Sequence, residues 1–479
     1  MQSETNKPLN QKETKINKKR LKVPNIIIVL LIMMALAMIA TWILPSGEFQ
    51  RETGPDGREV VVPDSFTFTE NSPVNLFEMF TAIPKGLEEA GMVAFTVLIM
   101  GGAWQVINST GAIAVLIHKL SIRLEGRETL AIPIFMILFS IIAAFIGAAE
   151  LALIYIPIIM PLMIALRFDI LTTTAVALVG VYGAFQASLT NPFTVGLAQN
   201  IAGLPLYSGI GYRFIVLITF VSVGIAYVVR YAKKVKKDPN KGLVNEETES
   251  FLQNVYTPQK HIEQKGGNRL IPYVLITGFL AIIYGVLALE WYMYEIGAIF
   301  FILALIIGKL GKLTLDDFAD HFIEGSKTVL LAAFAIGMAR SILVIIEDGQ
   351  IIDTTIMGLF VLVNGLPEAF TATGIFIVQG LFNFFVSSGS GQTLITMPIL
   401  SPLADLVGIT KQTTVLATQL GDGISNLLFP TQGVLMASLA YSKVPYEKWL
   451  RFIFPLIIIW TVLGIAFLVI AQLINWGPF

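Results

Sequence analysis

Pro157-Ile-Ile-Met-Pro161-Leu162 returns as Pro398-Ile-Leu-Ser-Pro402-Leu403, a displacement of 241 residues. The same offset continues on either side. Thr173-Thr174-Ala-Val-Ala177 matches Thr413-Thr414-Val-Leu-Ala417 at 240, Gly183 matches Gly423, and segment 76–86 matches 315–325 at 239. Downstream, Asn191-Pro192-Phe193-Thr194 faces Phe429-Pro430-Thr431 after a small deletion. A nearly constant offset with two matched proline pairs marks an internal duplication, which chance likeness between apolar stretches does not produce.

The duplicated chain has 479 residues, of which 55% are hydrophobic and 14% charged, with a net charge of −1 and no cysteine. A soluble protein carries about 25% charged residues, so most of this surface does not face water. Soluble enzymes are excluded, and a net charge near zero gives nucleic acid no pull. Without cysteine there is no disulfide framework or thiolate metal site. His118, His261 and His321 are scattered singly, which excludes a histidine-rich metal centre. The expected fold class is an all-α polytopic membrane protein.

Charge divides the chain. Residues 1–24 form a basic tail with seven Lys/Arg, and the apolar run 25–44 that follows is long enough to cross a hydrocarbon core of ~30 Å. It lacks a small-residue cleavage site, so it reads as an uncleaved first span with a cytoplasmic tail. Segment 45–75 is acidic and suits an external loop; alternation over Val60–Phe68 after Asp56-Gly57 predicts a small hairpin. Residues 76–231 hold the first copy, 232–268 a lysine-rich cytoplasmic loop, 269–313 two linking spans, and 314–475 the second copy.

Equivalent loops of the copies carry opposite charge. Segment 108–129 has Lys119, Arg123 and Arg127, whereas its counterpart 347–368 has four acids and no Lys or Arg. Segment 203–213 has only Arg213, whereas 441–451 has Lys443, Lys448 and Arg451. The positive-inside rule therefore places the copies in inverted topology, with Lys411 the one dissenter and the C-terminus outside. In each copy an amphipathic helix (76–86 in the first) precedes a span (88–107), a hairpin, a broken helix (172–203) and a final span (211–231). The first hairpin has arms 130–146 and 151–166 with its tip at Gly147–Glu150; the second has its tip at Ser387–Gln392. Arms of this length enter and return, or cross fully.

Irregular backbone at membrane depth survives only where protein or water satisfies its N–H and C=O groups. Four such places are expected to converge: the two tips, the break Thr190-Asn191-Pro192-Phe193-Thr194, and the break Asn426-Leu-Leu-Phe-Pro430-Thr431. Gly147, Pro192, Gly389, Gly391 and Pro430 interrupt the backbone there. A pocket lined by Thr190, Asn191, Thr194, Ser387, Ser388, Ser390, Gln392, Asn426 and Thr431 follows, with helix ends able to hold a carboxylate or a cation. Glu150, Arg340 and Asp422 lie inside apolar sequence, each at a cost of ~2.5–3.5 kcal/mol at the bilayer centre, so a partner or a role is expected. Either Arg340 forms an ion pair with Glu150 or Asp422, or Arg340 takes a substrate carboxylate as a planar fork while the two acids hold a cation. H⁺, Na⁺ near Asn191 and Asp422, or a substrate amino group would serve.

Glu324-Gly-Ser-Lys327-Thr328 ends like a nucleotide-binding loop, but Asp320 stands at its first glycine position and no strand precedes it. No internal histidine is available to activate Ser387 or Ser390, so no enzyme activity is expected. A channel is the alternative of another class.

Gly-x-x-Glu150 before the first proline pair resembles the DcuC/YfcC-type C4-dicarboxylate anaerobic carriers. So do Asn191-Pro192-Phe193-Thr194-x-Gly-x-Ala-Gln199, Ser208-Gly209, Ser388-Gly-Ser-Gly391 and Gly421-Asp422-Gly423…Pro430-Thr431. The resemblance covers nearly the whole chain and implies the ion transporter superfamily fold: inverted repeats with re-entrant hairpins, a homodimer, elevator-like alternating access and a bacterial cytoplasmic membrane. It implies a small-molecule substrate, no cofactor and coupling to H⁺ or Na⁺. C4-dicarboxylates are the family's cargo, while YfcC-type relatives are associated with arginine/ornithine exchange. Glu150, Asp422 and Arg340 sum to −1, which matches an amino acid without help and a dianion only with an added proton or Na⁺. A carrier leaning to an amino acid is the expectation, with a C4-dicarboxylate as alternative.

Overall fold

A computed structural model describes residues 26–53, 59–62, 65–111, 124, 126–147, 149–254, 270–289, 291, 293–364, 368–406 and 408–477. The basic tail 1–24, and with it the cytoplasmic placement of the N-terminus, lies outside the described residues, as do His118, Lys119, Arg123 and His261. The described residues are mostly helical, and seven of their helices are long and apolar enough to cross a membrane.

Helix α1 (Ile26–Ile43) leads into short strands β1 (Gly47–Glu48), β2 (Arg51–Thr53), β3 (Glu59–Val61) and β4 (Thr67–Phe68). β2 and β3 pair antiparallel, as the alternation predicts, and β1 pairs with β4. The first copy comprises α2 (Leu76–Glu89), α3 (Gly91–Ser109), α4 (Ala131–Ile146), α5 (Leu151–Ala165), α6 (Ile170–Phe185), a π-turn at Pro192–Gly196 running into α7 (Leu197–Ile201), and α8 (Ile210–Lys237). Then come α9 (Asn245–Asn254) and the linking spans α10 (Ile271–Leu289) and α11 (Met293–Leu310). The second copy comprises α12 (Leu315–Thr328), α13 (Leu330–Asp348), α14 (Ile352–Asn364), α15 (Glu368–Phe382), α16 (Gly389–Leu406), α17 (Lys411–Ser425), α18 (Gly433–Ser442) and α19 (Tyr446–Leu473).

The copies agree in their details. α2 and α12 each have 14 residues, α3 and α13 each 19, and α8 and α19 each 28. They also start on matched caps. Asn75 and Glu78 form a capping box on α2, as Thr314 and Asp317 do on α12, satisfying two donors that a helix start leaves open. Asp169 Oδ1 accepts from Thr172 N at 2.8 Å to open α6, and Thr410 Oγ1 accepts from Thr413 N at 3.3 Å to open α17.

Packing between the copies is reciprocal: α2 lies on α13, and α12 lies on α3. Glycines permit both crossings. A Cβ on Gly86 would stand 2.5 Å from Ser341 N, and one on Gly325 would stand 2.3 Å from Gly101 O. Small residues let backbones approach where lipid offers no hydrophobic drive.

Several boundaries differ from expectation. α2 continues one turn past residue 86, to Glu89. The broken helix begins at Ile170, on its Asp169 cap, and ends at Ile201. Lys233, Lys234, Lys236 and Lys237, read as the start of a loop, form the last turns of α8, where cations meet unpaired carbonyls. Lys236 reaches Glu128 at 3.2 Å and Lys448 reaches Glu247 at 2.6 Å, tying the polar segment to both copies. Elsewhere, Arg51 clamps Asp353 through bonds of 3.1 and 2.9 Å, and Phe49 N donates to the same carboxylate.

Gly325→Val forces a side chain into the backbone of α3, an overpacking that costs on the order of 1–3 kcal/mol. Thermal unfolding in detergent is expected to show a midpoint several degrees lower; an unchanged midpoint contradicts the close crossing.

Candidate functional site: a buried junction of two hairpin tips and two helix breaks

Each tip sits on the break of its own copy. α4 ends at Gly147, whose φ of 71° is left-handed and suits glycine. A Cβ there would fall 2.0–2.3 Å from the Asn191 amide, so Gly147 lies directly on the first break. Leu189 N donates to Ala144 O at 3.0 Å and Thr190 Oγ1 to Phe145 O at 3.2 Å, using carbonyls that the end of α4 leaves open. Asn191, fully buried, caps the π-turn: its Oδ1 accepts from Phe193 N at 2.9 Å and Thr194 N at 3.3 Å. Pro192 is the first residue of that turn, where a missing N–H costs nothing.

The second tip is stapled the same way. Ser387 Oγ donates to Thr431 O at 3.2 Å, and Gln432 Nε2 donates to Ser387 O at 3.3 Å and to Asn426 Oδ1 at 2.7 Å. Asn383, in the turn after α15, donates from Nδ2 to Ser425 Oγ and Asn426 Oδ1, both at 2.8 Å, and to Asp422 O at 3.2 Å. Ser388 Oγ accepts from Gly391 N at 3.3 Å and lies 3.5 Å from Ser390 Oγ at the start of α16. Gln392 serves the hairpin itself, donating from Nε2 to Gln379 O at 2.8 Å.

The halves meet at Gly389. A Cβ on that residue would lie 2.8 Å from Thr194 Cγ2, 2.9 Å from Asp422 Oδ2 and 3.6 Å from the Phe185 ring. The second tip therefore touches the first break and Asp422 together. Asp422 is buried; its Oδ1 accepts from Asn426 Nδ2 at 3.3 Å, while its Oδ2 has no partner among the described residues. Thr194 Oγ1, Asn191 Nδ2 and Thr431 Oγ1 are likewise buried without partners. Donors and acceptors left open in a buried junction are what a polar ligand or ion engages. Glu150 stands at the N-cap of α5, three residues past Gly147.

One candidate is placed elsewhere. Arg340 Nε binds Glu89 Oε2 at 2.6 Å, both side chains being about one-third exposed. Its ion pair joins α13 to the end of α2, not to Glu150 or Asp422, because the reciprocal crossing sets Glu89 beside it. The planar fork expected at Arg340 is engaged by the scaffold.

Other residues of the junction went unread. Asn383 follows Gln379 at helical spacing in apolar sequence, and Gln412, Gln419, Asp422 and Asn426 fall on one face of α17, a periodicity that marks them together. Arg213, counted as a loop charge, is completely buried.

The chain matches the family model for the C4-dicarboxylate anaerobic carrier, DcuC, over residues 23–473. Among curated proteins it is 34% identical to YfcC of Escherichia coli K12, over 90% of this chain and 93% of that one; that protein's name assigns it provisionally to basic amino acid antiport. It is 26% identical to an uncharacterized protein of Haemophilus influenzae, over 95% and 97% of the two chains. Among solved structures it is similar to the YdaH transporter of Alcanivorax borkumensis (TM-score 0.41, 15% identity, 95% and 100% of the chains). It is also similar to MtrF of Neisseria gonorrhoeae, of a class of antimetabolite efflux pumps (TM-score 0.39, 18% identity, 95% and 96%).

Asn191→Ala removes a cap worth about 1 kcal/mol, and Gly147→Ala drives a methyl into Asn191 at a left-handed φ. In membrane vesicles each variant is expected to insert yet lose uptake at least about tenfold. Near-normal uptake by either one removes that contact from the site.

Proposed function

The chain belongs to the C4-dicarboxylate anaerobic carrier family, and from that premise we propose that it is a secondary transporter exchanging small amino acids, with a basic amino acid as cargo. It is a multi-pass membrane protein of a bacterial transporter family; the cargo and the exchange mode are the proposal. The observation that carries it is Asp422, a buried carboxylate with one oxygen open toward Gly389 and Thr194.

With Arg340 engaged by Glu89, the acid left with an open oxygen at the junction is Asp422. A cationic amino acid brings the compensating charge with it, whereas a dicarboxylate adds two negative charges to a site of the same sign. Buried charge is tolerated when paired, so occupancy by a cation is the stable state of this carboxylate. The name of the Escherichia coli relative agrees with this cargo.

Alternating access follows if the copies are inverted. Gly297 and Gly308 of α11 lie beside Thr96 and Val106 of α3, so these helices run parallel, and α3 ends at Thr110 beside Gly311, where the second copy begins. α13 ends at Gly349 beside Thr41 and is joined there to Ser46 and Ser72, just before the first copy begins. α3 and α13 thus run in opposite directions, which supports an inverted pair rocking about a site between them. In exchange, the carrier returns loaded, so Asp422 stays neutralised on both strokes without an added H⁺ or Na⁺.

In proteoliposomes preloaded with ornithine, labelled L-arginine uptake is expected to exceed that in empty vesicles and to vanish in Asp422→Asn. Uptake of labelled succinate in preference to arginine, or arginine uptake indifferent to internal amino acid, overturns the proposal.

A further inference from the structure

Arg213 sits in the first turn of α8 with its side chain completely buried, yet no Asp or Glu is bonded to it among the described residues. Its Nη1 donates to Gln419 Oε1. Gln419 is fixed by its own amide nitrogen, which donates to Phe185 O at 3.1 Å, Ser188 O at 3.3 Å and Ser188 Oγ at 2.6 Å. The glutamine oxygen therefore has one direction left, and it holds the guanidinium. The Trp476 ring lies over the group, 5.5 Å from its centre, a cation–π contact that costs the arginine no donor.

Nε and Nη2 have no partner among the described residues. These two nitrogens are the parallel donors of one guanidinium edge, the arrangement that receives both oxygens of a carboxylate at once. An uncompensated buried cation costs several kcal/mol, more than the glutamine and the tryptophan return. Structure alone gives no reason to keep an arginine here; a bound anion does.

The position joins this edge to the junction. Gln419 and Asp422 lie one turn apart on α17, about 4.5 Å of rise. The Phe185 carbonyl bonds Gln419, while the ring of the same residue lies against Gly389, beside Asp422. A cation-accepting carboxylate on α17 and an anion-accepting guanidinium, reaching from α8 to the neighbouring turn of α17 at Gln419, thus both lie near the end of α6.

We propose that Arg213 is a carboxylate-binding residue of the transport site, its Nε–Nη2 edge holding the carboxylate of a substrate whose cationic end lies at Asp422. This rests on the transport reading above and moves the fork from Arg340 to a residue on the other copy.

The experiment compares L-arginine with agmatine, the same molecule without its carboxylate, by ligand-induced thermal shift and calorimetry on the purified full chain. Wild type is expected to bind L-arginine on the order of 10- to 100-fold more tightly than agmatine, the worth of a charge-assisted bidentate pair. Arg213→Gln is expected to bring L-arginine down to the agmatine level while agmatine binding stays unchanged, which also shows the variant folded. A variant that keeps the preference, or that loses both ligands equally, overturns the proposal. If Arg213→Gln does not purify, Arg213→Lys decides: charge without a fork is expected to lose most of the preference, and keeping it overturns the assignment. Succinate and its neutral diamide separate the two readings. If wild type binds succinate and not L-arginine, the amino acid reading fails, and Arg213 stands or falls on whether Arg213→Gln erases the preference for succinate over the diamide. Binding of neither acid by wild type ends both.

Discussion

A polypeptide cannot leave its helix inside an apolar body unless the released N–H and C=O groups find partners, each missing partner costing several kcal/mol. This chain breaks its helices four times in one region and answers each break from within. Asn191 covers the donors after Pro192, Ala144 and Phe145 lend carbonyls to the residues before it, and Asn383 and Gln432 converge on Asn426 in the second copy. The staples join tip to break so closely that Gly147 has no room for a methyl group. What the backbone leaves unused is Asp422 Oδ2, Thr194 Oγ1 and Asn191 Nδ2, polar atoms already held in place and open to a ligand.

Around this junction the remaining helices act as frame. Glycines at the crossings of α2 with α13 and of α12 with α3 bring the copies into reciprocal contact, and their charges pair across it, Arg340 with Glu89 and Lys85 with Asp348. These pairs are partly exposed and contribute little to stability. They do fix where Arg340 can reach. The buried charges are different in kind: Asp422 and Arg213 each keep an open side, the one an acceptor and the other a pair of donors. Carboxylate and guanidinium, held apart by Gln419, complement a molecule with both charges better than they complement either ion alone.

Much of the fold was legible in the sequence because duplication reports itself twice. The structure repeats the helix caps at the same offset, Asn75 with Thr314 and Asp169 with Thr410. Tips and breaks were legible because their glycines and prolines stand with polar residues inside apolar sequence and recur in the second copy. Arg340 was misjudged for a physical reason: its partner lies 251 residues away, on an amphipathic helix whose charged face looks solvated in sequence. Arg213 was hidden by the opposite error, since an arginine beside a loop reads as a surface charge, and only the tertiary fold brings Gln419 and Trp476 over it. Asn383 and Gln419 carried a readable signal in their helical spacing from Gln379 and Asp422.

The site depends on the second tip lying against the first break beside Asp422. The chain has no cysteine, so a single pair can be introduced without background. Cysteines at Thr194 and Gly389 stand where a Cβ on the glycine would come within 2.8 Å of the threonine methyl, a spacing compatible with disulfide geometry. Oxidation in native membranes is predicted to link the two copies' site elements in a single chain, seen as a mobility shift reversed by reductant. Two cysteines that stay unlinked under oxidant, yet label freely with a thiol reagent, would contradict the convergence on which the site depends.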